Sequence, residues 1–224
     1  MLCSTNGGSG KKGGQAMPNG MKLIKKLDAP VSVWSGGTTV QMAIYPERAS
    51  YARRDFAWRI SLAEMTEPRT VFTSLPGYKR KLLATDGSFR LEHEGRRTAE
   101  LRPYEQDCFE GEWTTRCTGM GKDVNLMLAG GWDGRLDVLR VEAGGAVKAE
   151  APCLPAANKF ECFYCEKGRL AIRTGERLSL ELAEGEMLIW KPGSEQARQD
   201  LRLVHDGGVP EPCVLIRIAV WEQT

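Results

Sequence analysis

The feature that most limits what this chain can become is its punctuation. Glycine and proline break it repeatedly from about residue 31 onward, and the segments between them alternate apolar with small or polar side chains. Val40–Tyr45 stops at Pro46, Phe56–Ser61 alternates large with small, and Thr70–Leu75 stops at Pro76-Gly77. Lys81–Ala84 runs into Asp86-Gly87 with Phe89–Glu92 directly after, which predicts a hairpin. The same grammar restarts after Gly130-Gly131, with strands expected over Leu136–Glu142, Phe160–Glu166, Arg169–Arg173, Arg177–Leu182, Glu186–Trp190 and Val214–Trp221. No helical period survives beyond about two turns. Short strands at this spacing predict an all-β sandwich or barrel. Residues 21–224 of the 224 divide into two β halves, 21–130 and 131–224.

Residues 1–20 are rich in Gly, Ser, Asn and Lys and lack periodicity, so a disordered leader is expected there. The formal charge is only +2, which argues against a dedicated nucleic-acid binder. No apolar run approaches the roughly 18 residues of a membrane span, and no secretory signal is readable. Seven cysteines without a regular framework then point to a reduced, cytoplasmic protein. Cys162 and Cys165 form a lone C-x-x-C in a strand-like segment. That spacing puts them on opposite faces, as semi-buried structural cysteines and not as a redox pair or half of a zinc site. There are two histidines, His93 and His205, both in polar surroundings that suggest exposed loop or strand-edge positions. A three-histidine metal site is therefore excluded within one chain, and no metal or cofactor is expected.

The strand 56–61 carries the chemistry. Phe56, Trp58 and Ile60 share one face; Ala57, Arg59 and Ser61 share the other. A lone arginine among small residues points into a semi-enclosed space, where it needs an anion. Arg80 follows the Pro76-Gly77 turn, and Asp123 and Asn125 lie two apart, on one face if extended. Arginines grip carboxylates bidentately, and an amide and a hydroxyl complete the lone pairs. The spacing alone leaves two readings open: a buried Arg59–Asp123 ion pair, or a site for a small carboxylate ligand.

Gly185-Glu186-Met187-Leu188-Ile189-Trp190-Lys191-Pro192-Gly193 resembles the second motif of the cupin superfamily, without the histidine that follows it in metal-binding members. Phe163–Gly168 resembles the strand-to-turn part of the first motif, without its His-x-His. A more specific resemblance spans residues 34 to about 127. Trp34-Ser35-Gly36-Gly37-Thr38-Thr39, Ile44-Tyr45-Pro46 and Phe56–Ala63 look like the opening signature of the HutD/Ves family. Phe72–Arg80, Phe109–Glu112 and Lys122–Met127 look like its later blocks, in family order. Thr73 stands where serine is usual, and the Ser35-Gly36-Gly37 run is shorter than the family's.

The resemblance implies a cupin (RmlC-like) jelly roll, two barrels in one chain (a bicupin) without the usual metal. It implies a link to histidine utilisation, where sensing or limiting of formimidoylglutamate has been proposed, or to stress induction. By motif position, Arg59, Ser61, Arg80, Asp123 and Asn125 would line the first-barrel pocket, with Phe56 and Trp58 packing beside or behind it. Gly36, Gly37 and Gly77 would be turn residues. The expected function is binding of a formimidoylglutamate- or formylglutamate-like carboxylate. A hydrolase or isomerase with Asp123 as base, and a dimeric interaction module pairing through an apolar edge strand such as Val214–Trp221, are the alternatives.

Overall fold

The computed structural model describes residues 20–149, 158–174, 177–191 and 201–223. The leader expected over 1–20, except Gly20, lies outside the described residues, as do Pro192, Gly193 and the positions after them where a metal-binding cupin carries its histidine. Nineteen strands are described, with a single 3-10 turn at Lys26–Asp28 and no α-helix among the described residues. The first eleven are β1 (Met21–Lys25), β2 (Val31–Trp34), β3 (Gly37–Tyr45), β4 (Trp58–Met65), β5 (Arg69–Val71), β6 (Tyr78–Gly87), β7 (Phe89–His93), β8 (Arg97–Leu101), β9 (Gln106–Glu110), β10 (Thr115–Thr118) and β11 (Gly121–Ala129). Eight more follow: β12 (Trp132–Val141), β13 (Ala146–Ala149), β14 (Lys159–Lys167), β15 (Arg169–Thr174), β16 (Arg177–Ala183), β17 (Glu186–Trp190), β18 (Leu201–Val204) and β19 (Cys213–Glu222).

These strands form two barrels of the same topology. In the first, one sheet runs β2-β3-β4-β11-β6-β9 and the other β5-β10-β7-β8. In the second, the sheets run β1-β17-β14-β19-β12 and β13-β18-β15-β16. Taking β4–β11 in order against β12–β19, every strand finds its counterpart: β4-β11-β6-β9 repeats as β12-β19-β14-β17, and β5-β10-β7-β8 as β13-β18-β15-β16. The halves thus share a jelly roll although no sequence repeat is visible. What differs is the addition at the edge. β2 and β3 extend the first barrel. β1, which precedes them in the chain, pairs instead with β17, Met21 opposite Trp190.

The larger sheets of the two barrels pack against each other. Period-2 alternation decides which side chains meet there. Trp58, Ile60 and Leu62 on β4 and Val124, Leu126 and Leu128 on β11 face the seam, against Phe160, Cys162 and Tyr164 on β14 and Ile216, Ile218 and Val220 on β19. Lys81 on β6 donates to the Gly134 carbonyl on β12 and lies 3.2 Å from Asp133, tying the barrels together. The alternate residues point into their own barrels.

Three expectations change. The Asp86-Gly87 hairpin does not form: β6 pairs with β11 and β9, whereas β7 pairs with β8 and β10 in the opposite sheet. The chain turns a barrel corner at Gly87 (φ +72), where a Cβ would lie 2.1 Å from the Met120 carbonyl oxygen. β19 is no edge strand, since it lies between β14 and β12. Both histidines are buried, each 1% exposed. His93 sits between Thr115 Oγ1 (2.9 Å) and Asp107 Oδ2 (2.8 Å). His205 Nε2 lies 3.0 Å from the Glu211 carbonyl oxygen, and the Gly207 N–H donates to its Nδ1. The cysteine pair divides as expected: Cys162 faces the seam and Cys165 the second barrel's interior, both free thiols. Burial pushes the Cys162 thiol up, and that of Cys165 up to about 12, so neither supplies a thiolate. No helix among the described residues is long and apolar enough to cross a membrane.

Candidate functional site

The inward face of the first barrel's large sheet is polar where three strands meet. β4 contributes Arg59 and Ser61, β6 contributes Arg80, and β11 contributes Asp123 and Asn125. Register explains why they converge: Asn125 lies opposite Ser61, and Met127 lies between Arg59 on one side and Arg80 on the other. All five line one cavity of about 110 Å³, room for a small organic acid. Each is buried, from 1% exposed at Ser61 to 6% at Arg80.

The arginines are held by neutral groups. Arg59 Nε donates to Gln41 Oε1 at 2.9 Å, and its Nη1 donates to Ser61 Oγ at 3.0 Å. Its guanidinium lies over the Tyr51 ring, 4.7 Å from the centroid. Arg80 lies over Phe72 (4.8 Å) and Phe109 (5.2 Å). Neither guanidinium has a carboxylate of the described residues within salt-bridge distance, so the Arg59–Asp123 ion pair that spacing left open is absent. Arg80 Nε, Asp123 Oδ1 and Asn125 Oδ1 are buried polar atoms with no hydrogen-bond partner among the described residues. Buried polar atoms in folded proteins are nearly always paired, so three orphans in one cavity mark it out.

The electrostatics follow from burial. Desolvation lowers the Arg59 pKa to about 10, with Tyr51 opposing that shift and the charge of Arg80 adding to it. Arg80 is lowered by burial too, against Tyr51 and Asp123. Both remain cations at neutral pH. Asp123 is pushed up to about 7 by burial, which outweighs the attraction of Arg80. The cavity therefore holds two cations and a carboxyl that is only partly ionised near pH 7.

Phe56 and Trp58 do not line this cavity. Trp58 projects from the opposite face of β4 into the seam, stacked on Tyr45 (5.7 Å) and edge-on to Phe160 (4.9 Å). Phe56 packs between Tyr51 (6.2 Å) and Tyr78 (4.4 Å), and so supports the ring under Arg59 from behind. The Tyr78 hydroxyl fixes that loop, 2.7 Å from the Arg54 carbonyl oxygen and 3.0 Å from that of Phe56. The sequence did not assign Tyr51, Gln41, Phe72 or Phe109 to the site, although Phe72 and Phe109 stand in motif blocks. Gln41 was readable as an inward polar position on β3, opposite Ser61. Tyr51 had no signal, because it lies in the aperiodic connection between β3 and β4. No group of three or more His, Cys, Asp or Glu among the described residues is placed to hold a metal.

The second barrel shows what the same position looks like when it is self-satisfied. On the counterpart strands, Arg217 Nε and Nη2 donate to the two carboxylate oxygens of Glu161 at 2.8 and 3.1 Å, and Arg135 lies 2.7 Å from Asp137. These four charges pair with one another, whereas Arg59 and Arg80 have no described carboxylate at salt-bridge distance.

The profile of the HutD family matches residues 27–208, a span that runs from the first barrel into the second and stops before β19. The chain belongs to the HutD family. That family is associated with histidine utilisation. An uncharacterised 21.2 kDa protein in the hutC 3′ region of Pseudomonas putida is 30% identical over 116 residues, 49% of this chain and 58% of that protein. The chain thus matches a little over half the length of that relative. Among solved structures, a conserved protein of unknown function from Pseudomonas aeruginosa has a TM-score of 0.73 at 24% identity, covering 91% of this chain and 100% of that one. HutD from Pseudomonas fluorescens has a TM-score of 0.64 at 18% identity, again covering 91% and 100%. At these identities the two structures speak for the fold, and the fold of this HutD-family chain is the two-barrel cupin.

Proposed function

We propose that this chain binds a small carboxylate in the cavity of its first barrel and acts as a regulatory or accessory protein of histidine utilisation. Formimidoylglutamate and formylglutamate are the first candidate ligands. The observation that carries this reading is the pair of buried arginines in one cavity, neither of them facing a described carboxylate at salt-bridge distance. Removing two guanidinium groups from water is costly unless an anion compensates. A ligand carboxylate does so through charge-assisted hydrogen bonds, and Arg80 Nε has one to give. Asp123 Oδ1 and Asn125 Oδ1 favour a ligand that also presents an N–H. The Pseudomonas fluorescens HutD structure was described in a formate condition, which keeps formate among the candidates. Titration calorimetry with formimidoylglutamate, formylglutamate, glutamate and formate tests the reading. Heat with at least one of them, lost in Arg59→Ala, is expected; no heat with any of them overturns it.

One observation favours a second reading. A carboxyl pushed up to about 7 beside an arginine has the acidity of a general base, so the cavity would turn its ligand over as a hydrolase or isomerase. Proton NMR of the ligand during long incubation distinguishes the two: turnover abolished in Asp123→Asn favours catalysis, and an unchanged ligand favours binding alone.

A further inference from the structure

β2 is the outer strand of the first barrel's six-stranded sheet, and it differs from every other edge. Its four residues, Val31-Ser32-Val33-Trp34, carry no charge. Each of the other seven edge strands among the described residues carries at least one charged residue, from Lys22 and Lys25 on β1 to Glu181 on β16. Charges on sheet edges discourage pairing with another chain. Among the described edge strands, β2 alone lacks that protection. It is also apolar on its outer face: Val31 is 63% exposed, Val33 82%, and nearby Leu27 97%. Val31 and Val33 lie two apart on one strand and so share that face, which makes them one apolar strip.

The backbone says what fits there. The Gln41 N–H donates to the Pro30 carbonyl at 2.9 Å, which makes Pro30 and Gln41 a hydrogen-bonded pair of the β2–β3 ladder. Antiparallel ladders alternate, so Ser32 opposite Thr39 is the next such pair. The N–H and C=O groups of Val31 and Val33 therefore point away from β3, to the open side. We propose that β2 is the homodimer interface of this protein, pairing antiparallel with β2 of a second copy about a two-fold axis through Ser32. That axis sets Val31 against Val33 of the other copy in hydrogen-bonded register, and the reverse. Every open backbone group of the two valines finds a partner, and the four valines gather on one face. The edge is thus self-complementary, as an isologous interface must be. Pro30 at one end and the turn at Ser35–Gly36 at the other limit pairing to a strand as short as β2 itself. Ser32 and Trp34 point the other way, into the lining of the carboxylate cavity, so the interface adjoins that cavity without occupying it.

Sedimentation velocity of the full chain, from about 1 to 100 µM, tests this without any ligand. The wild type is expected to be a dimer. Val31→Lys places a charge on the edge, and Val33→Pro removes an N–H that β3 does not use. Each is expected to give monomers with an unchanged near-ultraviolet circular dichroism spectrum. Val209→Lys, at an exposed valine elsewhere, is expected to leave the dimer intact. A monomeric wild type, which would leave the edge to a different partner, overturns the proposal. So does a dimer that survives both folded β2 variants.

Discussion

The Arg59 guanidinium lies 4.7 Å from the centre of the Tyr51 ring, and Tyr51 comes from the connection between β3 and β4, not from the barrel wall. A loop residue thus shapes the charge of the site. The ring faces a cation that has no described carboxylate at salt-bridge distance, and such contacts contribute about 0.5–2 kcal/mol. Tyr51→Ala should therefore weaken carboxylate binding by roughly 2- to 30-fold. Tyr51→Phe should keep most of the affinity, since the ring face remains. Calorimetry on the two variants separates stacking from any role of the hydroxyl.

Asp123 is expected to make both stability and the proposed carboxylate binding depend on pH. Its carboxyl is held up to about 7 in the folded protein, against an ordinary value of 3.8. Between these values the native state binds more protons than the unfolded chain, so stability falls as pH rises through that window. The protein should lose of the order of a few kcal/mol between about pH 4 and pH 7 from this group alone. Asp123→Asn should flatten the profile, as read by urea denaturation at a series of pH values. Anion binding has the same sign. Ionised Asp123 repels a carboxylate, so wild-type affinity should decline through pH 7 while that of the asparagine variant declines less.

Glu161 tests the difference between the barrels. It is fully buried, and both its oxygens accept from Arg217. Glu161→Gln neutralises the buried carboxylate of this bidentate pair, and breaking a buried pair by removing one partner's charge costs about 3–5 kcal/mol. Chemical denaturation should show that loss. Carboxylate affinity, measured at a temperature where the variant is folded, should stay within about twofold, because the pair lies in the other barrel and additivity holds for distant sites.

Local periodicity made part of this legible. Arg59 and Ser61 face one way and Trp58 and Ile60 the other because a strand alternates, and the same rule put Asp123 and Asn125 together on β11. Where partners lie far apart in the chain, the sequence was silent or misleading. His93 sits in polar sequence yet is buried, because Asp107 and Thr115 arrive from two other strands to satisfy its ring. Asp86-Gly87 has hairpin chemistry, but a turn dipeptide does not say whether the next strand pairs back or crosses to the opposite sheet. β1 joins the second barrel through β17, more than 160 residues away, and nothing within β1 announces it. The motif residues Phe72 and Phe109 were visible, but their role under Arg80 depends on a closed barrel that brings them to one guanidinium.

Gly37 opens β3 directly after the turn that follows β2, with φ at +148, and a Cβ there would lie 2.0 Å from the Glu64 carbonyl oxygen. Both facts exclude a side chain: the first is a conformation L-residues rarely adopt, and the second is a collision with backbone that has no rotamer to escape into. Gly37→Ala should then force β3 away from β4 at the Gly37–Met65 pair. Holding the strained conformation costs about 1–3 kcal/mol, before the collision is relieved. Relief would displace the turn carrying Trp34, which lines the cavity together with Ser32 and Thr39. The variant should therefore lose stability in thermal denaturation and also bind carboxylate more weakly at temperatures where it remains folded. Gly130→Ala, where a Cβ meets nothing within 4 Å, should do neither, and a Gly37→Ala protein with wild-type stability would contradict the steric argument.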